Sequence, residues 1–467
     1  MPPFNSSFTR RRFIGQCCAA VGSTGVLSAL SQMRLMGAAA SPNLMASPTG
    51  AMQPDYRALV CLYLNGGNDT NNLLVPTDTS GFNAYAQARG SLALSKEDLL
   101  GVTPASTDGR SWGFHPALAS VRDLFVGGKL AMLANVGTLV VPTSKAQYQS
   151  RSVPLPPQLF SHSDQSVQWQ SSIPDQAFKT GWGGRLADLT NAFNENNQIS
   201  MTITLNGQNS FQVGREVVQF AVRKEGPLEL WWNDNPEDAA TKVRLGAMRD
   251  VMKAEDESLF RSAFGHSTDR ALQNSELLGS ILAEAAPLTV EFPDTELGQQ
   301  LRMIAQLISV RDQLGLRRQV FFARLGGWDL HDSQIGAHAE LLTELADAMK
   351  AFYEATESLN VANDVTTFTA SDFGRTMVAN GDGSDHGWGS HHLIMGGAVK
   401  GGDFYGRVPD LAVGGPDDTK NGRWIPTVSV DEYNATLARW FGVSDTDMPL
   451  VLPNIGRFAT PDLRFMS

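Results

Sequence analysis

The run Ala58-Leu59-Val60-Cys61-Leu62-Tyr63-Leu64, followed at once by Asn65-Gly66-Gly67-Asn68-Asp69, decides the fold class. Seven apolar residues in a row are too few for a buried helix, and they show no alternation between an inner and an outer face. The run therefore predicts a strand covered on both sides, as in a parallel sheet, ending in a sharp glycine turn. Downstream, apolar Leu118, Val121, Leu124 and Phe125 predict a helix over about 116–125, stopped by Gly127-Gly128, and Leu130 to Val136 is a second apolar strand. Strand, helix and strand in that order make a parallel crossover unit. Further strands are expected from Ile199 to Leu205, Val320 to Leu325, Val365 to Ala370 and Leu393 to Met395. Leu341, Leu342, Leu345, Met349 and Phe352 recur at helical spacing and predict a long helix from about Ala339 to Leu359. A closing helix from about Asp431 to Phe441 starts behind Ser429, a residue suited to cap it. Residues 226–318 are helical in pattern and rich in charge, and they read as a helical insertion in one large α/β domain over 41–467.

The first forty residues read as a twin-arginine (Tat) signal peptide. Arg10, Arg11 and Arg12 stand ahead of Phe13-Ile14, a modest apolar stretch runs from about Val21 to Leu30, and Ala38-Ala39-Ala40 offers a cleavage site before Ser41. The apolar stretch carries Gly22, Ser23, Gly25 and Ser28 and falls short of the roughly 20 residues of a membrane span. The expected partner is the Tat export machinery, the expected location is periplasmic or extracellular, and the mature form is expected to have no membrane span. Removing residues 1–40 takes away four arginines and no acid, leaving 33 basic against 48 acidic residues. So acidic a chain repels nucleic acid. Of three cysteines only Cys61 lies outside the signal, so packing or metal must hold the mature chain together.

Three of the expected strands run into acidic turns. The first ends at Asp69 in NGGNDTNN, another at Asp329 and His331 in GGWDLHDSQ, and a third at Asp372 in SDFGRT. Sites in open parallel sheets form outside the carboxyl ends of the strands, so these groups are expected on one rim. DHGWGSHH, residues 385–392, adds His386, His391 and His392. Carboxylate and imidazole together suit Zn²⁺, Mn²⁺ or Fe rather than Ca²⁺ alone. Asp69, Asp329, His331, Asp372 and His386 are the candidate metal ligands, and a divalent metal, Zn²⁺ or Mn²⁺, is the expected cofactor.

Each group also has a plainer role open to it. Asp69 and Asp329 could bond their own backbone beside glycine, and Asp372 could cap the turn after it. His391 and His392 point opposite ways on an extended segment, so at most one reaches the site, and His115 and His338 read as structural. Arg375 offers a planar fork for a phosphate or sulfate oxyanion, or an ion pair with a nearby aspartate. SHSDQS supplies Ser161 as a candidate nucleophile beside His162, and water activated by a metal would need neither.

The segments ALVCLYLNGGNDTNNLLVP, FHPALASVRDLFVGGKLAMLANVG, SHSDQ, GWGGRLAD, GGWDLHDSQ, SDFGRT, DHGWGSHHLIMGGAVKGG and PNIGRF resemble the bacterial family catalogued as domain of unknown function 1501. That family is placed with the alkaline phosphatase and sulfatase superfamily. The resemblance implies a mostly parallel central sheet flanked by helices, with a two-metal site at the strand ends. By the same analogy Asp69 matches the first-strand aspartate, Asp329 and His331 the second metal-binding pair, Asp372 the next acidic ligand and His386 a late histidine. The chain departs from the superfamily pattern in three places: the pattern spaces its Asp and His by three residues whereas one separates Asp329 from His331, Phe373 follows Asp372 where a histidine is usual, and no Asp-Ser-Ala-like nucleophile is visible.

The expected function is metal-dependent hydrolysis of phosphate or sulfate esters, with a small anionic ester or a polysaccharide as substrate. The alternative is a non-catalytic secreted protein of the same fold that binds polysaccharide or a protein partner. A phosphomutase-like transferase is a third reading.

Overall fold

The structure, a computed structural model, describes residues 55–106, 109–196, 198–228, 238–254 and 258–467. The expected signal over 1–40 lies outside them. The described residues divide into two units, a larger one within 55–228 and 276–467 and a smaller one within 238–275. The described part of the smaller unit is helical, comprising Ala239–Lys253 and the start of Leu259–Glu284.

The larger unit is built on a mixed, mostly parallel sheet. Its order from one edge is Phe404–Gly406, Leu130–Gly137, Ser390–Met395, Val365–Ser371, Arg57–Leu64, Arg318–Leu325, Thr202–Thr204, Phe220–Arg223 and Gly226–Pro227, with Val428–Ser429 also pairing Leu130–Gly137. Ser390–Met395 runs antiparallel to both neighbours, and the last strand is antiparallel too; the other pairings are parallel. The strands 57–64 and 130–137 thus share a direction, as the crossover reading expects. They are not neighbours, because 365–371 and 390–395 lie between them.

Ala58 to Leu64 is buried along its whole length. Successive side chains point to opposite faces, so complete burial requires cover on both. Helices Ala119–Val126, Glu296–Ser309 and Gln334–Ser358 pack on one another, and Trp182–Thr190, Val430–Phe441 and Met448–Val451 form a second group. The long helix buries Leu342, Leu345, Met349 and Phe352, the residues whose spacing predicts it. Each such side chain contributes about 1.5–3 kcal/mol on leaving water. Ser429 caps Val430–Phe441 in a reciprocal box with Glu432, and Gly442 ends that helix at φ +118°. Glu296–Ser309 falls within 226–318, yet it buries Leu297, Leu301, Ile304, Leu307 and Ile308 and belongs to the core layer of the larger unit.

Candidate metal centre

Leu64 pairs with Ser371 on one side and with Leu325 on the other. The three central strands therefore end level, and the turns that follow leave the sheet side by side. Gly66 and Gly67 have φ of +124° and +88°, where side chains are disfavoured. A Cβ on Gly66 would meet the Asp329 backbone nitrogen at 2.4 Å, and one on Gly67 would meet the Phe373 ring at 2.6 Å. The paired glycines of the first turn let the other two pack against it.

Beside these turns three imidazoles converge. His386 Nε2 lies 3.1 Å from His162 Nε2 and 3.0 Å from His331 Nε2. Asp329 Oδ1 lies 3.3 Å from His162 Nε2, 3.3 Å from His386 Nε2 and 3.1 Å from His331 Nε2. The four groups come from three places. His162 opens the helix His162–Ser171, Asp329 and His331 follow the strand Arg318–Leu325, and His386 ends the short strand Ser384–His386 opposite Arg375.

The other ring nitrogen of two histidines is fixed by an acceptor. His162 Nδ1 donates to Asp372 Oδ2 at 2.6 Å, and His386 Nδ1 donates to the Phe160 carbonyl at 2.7 Å. A carboxylate and a carbonyl can only accept, so each neutral ring carries its lone pair on Nε2. Two lone pairs then face each other at 3.1 Å and repel unless a proton or a cation joins them. Phe373 packs against both rings, with centroids 4.7 Å from each. At the position where the superfamily pattern has a histidine, this chain supplies a wall that orients two others.

Charge is arranged to match. The Asp372 hydrogen bond raises the His162 pKa above its usual value, while burial lowers that of His386. Burial works to raise the Asp329 pKa, but the Arg375 guanidinium outweighs it and takes the carboxyl down to about 2. Asp329 is therefore ionised beside a neutral His386.

These donors fit a metal. Ligands 2.0–2.1 Å from a tetrahedral Zn²⁺ stand about 3.3 Å from one another, close to the spacings seen here. Metal-bound histidines usually donate their second N–H to a carboxylate or a backbone carbonyl, as His162 and His386 do. Three imidazoles and a carboxylate suit Zn²⁺ or Mn²⁺.

The candidate residues separate into two groups. Asp329 and His386 come together with His162, their ligand atoms all within 4.8 Å of one another, and His331 approaches Asp329 and His386 as a fourth donor. Asp372 stands behind His162 rather than among the converging atoms. Asp69 is elsewhere: its carboxylate is buried, paired with Arg89, bonded by Gln334 Nε2 at 2.5 Å and capped onto Asn71 N at 3.2 Å. Arg375 is 1 % exposed, and its donors are taken by the carbonyls of Gly66, Gly67, Trp328 and Ser384 and by Asp329 Oδ1 at 2.5 Å. Of its two possible roles, the geometry matches the ion pair. Ser161 Oγ donates to Asp164 Oδ2 at 2.6 Å. Neither His391 nor His392 reaches the cluster, since His391 Nδ1 accepts from Asn135 N and His392 packs between Trp169 and Tyr433. His338 and His115 are buried against each other, and His338 Nε2 bonds Asn68. Sequence reasoning missed Phe160, whose carbonyl sets His386; a backbone acceptor leaves no signature in residue types.

Among solved structures the chain is similar to the lipoteichoic acid synthase LtaP from Listeria monocytogenes, at 7% identity and a TM-score of 0.35 over 90% of this chain and 80% of that one. It is similar to the PsFucS1 sulfatase from Pseudoalteromonas sp., at 10% identity and a TM-score of 0.34 over 88% and 71%. It is also similar to the soluble domain of lipooligosaccharide phosphoethanolamine transferase A from Neisseria meningitidis, at 10% identity and a TM-score of 0.33 over 87% and 95%. These distant likenesses say nothing of its chemistry. Among curated proteins none matches the chain. The family model described as "Protein of unknown function (DUF1501)" matches residues 56–448, most of the chain and every residue of the histidine cluster, and the protein therefore belongs to that family.

Proposed function

We propose that the protein is an exported, metal-dependent hydrolase of phosphate or sulfate esters. The observation that supports this reading most is the pair of Nε2 lone pairs on His162 and His386, fixed by outer acceptors and turned toward Asp329 and His331. His162, His331, His386 and Asp329 would hold a divalent cation. When bound, such a cation polarises an ester oxygen and lowers the pKa of a coordinated water toward about 7. Asp372 and Phe160 keep the two rings in the tautomers that binding requires. The Arg375 cation keeps Asp329 ionised and at the rim. Asp329 and His331 are 47 % and 43 % exposed, so the centre opens to solvent and admits a bulky ester. Ser161 Oγ would have to leave Asp164 to act as a nucleophile, which favours water in that role.

The test is turnover of p-nitrophenyl phosphate and p-nitrophenyl sulfate by zinc- or manganese-loaded protein. At least one ester should be hydrolysed, and a chelator should abolish the activity until metal is restored. A metal-loaded protein that turns over neither favours the non-catalytic, polysaccharide- or partner-binding reading.

Export is part of the same proposal. Among the described residues no helix is long and apolar enough to cross a membrane. Arg10→Lys with Arg11→Lys should leave the precursor in the cytoplasm; normal periplasmic appearance of the double variant would remove the Tat assignment.

A further inference from the structure

The ester reading needs a cation for the oxyanion, and Arg375 is 1 % exposed with every nitrogen already bonded inside the protein. Another arginine stands beside the cluster. Arg423 Nε donates to the His386 carbonyl at 2.7 Å, and its guanidinium carbon lies 4.7 Å from the centroid of the Phe160 ring. Phe160 is the residue whose carbonyl fixes His386, so Arg423 touches both members of that pair.

The support under Arg423 is rigid. Phe160 sits in the left-handed region at φ +73°, held by its own N–H on Gln165 Oε1 at 2.8 Å and by His386 on its carbonyl. A strained aromatic residue pinned from two sides marks a position the surrounding structure enforces. The backbone around Arg423 is stitched to neighbouring strands: Met377 N donates to Gly422 O, Val378 N to Asn421 O, and Gly389 N to Trp424 O. Trp424 Nε1 donates to Asn71 Oδ1 at 2.8 Å.

The outer nitrogens, Nη1 and Nη2, have no hydrogen-bond acceptor and no carboxylate partner among the described residues. A guanidinium stacked on a ring, with its Nε anchored and its outer edge free, is a preorganised fork for a tetrahedral oxyanion. Resting on the hydrolase reading above, we propose that Arg423 binds the phosphate or sulfate group of the substrate beside the histidine centre.

The experiment titrates inorganic phosphate and inorganic sulfate separately into the zinc-loaded full chain, by calorimetry, with metal content and melting temperature measured in parallel. Wild type should bind one of the two anions more tightly, which identifies the ester class. Arg423→Ala should weaken that anion by about tenfold or more while holding the same metal, because charge-assisted forked bonds are lost. Arg423→Lys should fold equally well and recover only part of the affinity, since an ammonium cannot fork. Arg407→Ala, which removes an exposed arginine paired with Asp417, should bind as wild type does.

The proposal is overturned if Arg423→Ala and Arg423→Lys bind the anion like wild type. It is also overturned if they lose metal together with the anion, which would make Arg423 a support for His386 alone, or if the metal-loaded wild type binds neither anion. Ester turnover with unchanged anion affinity in the variants removes only the Arg423 assignment. A wild-type protein without metal removes the hydrolase reading itself.

Discussion

The turns at Asp69 and Asp329 are near twins in sequence, and the structure gives them opposite work. Each follows a central strand of the sheet, each carries Gly-Gly and then an aspartate, and the two strands are hydrogen-bonded neighbours. Asp69 is 2 % exposed and closed off by Arg89 and Gln334, whereas Asp329 is 47 % exposed and ringed by three imidazoles. A carboxylate at a strand end therefore takes its role from what the rest of the chain brings to it. Where a helix end supplies a buried cation, the aspartate becomes part of the architecture; where histidines arrive with lone pairs inward, it becomes a candidate ligand.

The comparison can be broken most forcefully at Asp69. Asp69→Ala leaves Arg89 charged and unpaired in the interior and should destabilise the protein by about 3–5 kcal/mol. Asp329→Asn should change stability far less in metal-free protein, because the group is half exposed and Arg375 retains four carbonyl partners. Its metal content should fall sharply instead. Chemical denaturation and metal analysis of the two variants separate the roles, and similar losses in both measurements would erase the distinction.

A smaller effect belongs to Asp372, which acts through His162. Asp372→Asn should weaken zinc or manganese binding by about 10–100-fold, the usual cost of removing an outer carboxylate, without abolishing it. Complete loss of metal would instead make Asp372 a direct ligand, as the sequence first suggests.

The smallest effect is a pH slope. Asp372 raises the His162 pKa in the folded state, so in metal-free protein this group contributes stability that is full below its unfolded pKa of about 6.5 and is lost as pH rises through the higher folded value. Metal needs the same nitrogen deprotonated, so metal binding should strengthen over that rise. Melting curves from pH 6 to 8 should therefore slope down without metal and up with it, and Asp372→Asn should flatten the first slope. Parallel slopes in the two states would place His162 away from the metal.

Much of this was legible before any coordinates. The central strands are continuous apolar runs, so their positions and their common edge could be read directly, and with them the meeting of Asp329 and Asp372 at one end of the sheet. His331 and His386 lay in turn-rich segments that marked them as candidates. What resisted reading depended on partners set by tertiary contact. Arg89 is only twenty residues from Asp69, yet nothing in its helix announces a buried ion pair. Arg375 has the residue type for oxyanion binding but spends its donors on backbone carbonyls, which no sequence pattern displays. His162 read as a companion to Ser161, because its second partner, Asp372, lies 210 residues away. The short strand Phe220–Arg223 carries too few residues for a clear period.

Metal content tests the central claim most directly. Protein recovered from the periplasm should carry zinc or manganese in stoichiometric amount by mass spectrometry, should take it up again after chelation, and should melt at a higher temperature when loaded. Protein that carries no stoichiometric metal, takes up none on titration and gains no thermal stability from Zn²⁺ or Mn²⁺ would contradict the metal centre, and the facing lone pairs of His162 and His386 would then have to be joined by a proton alone.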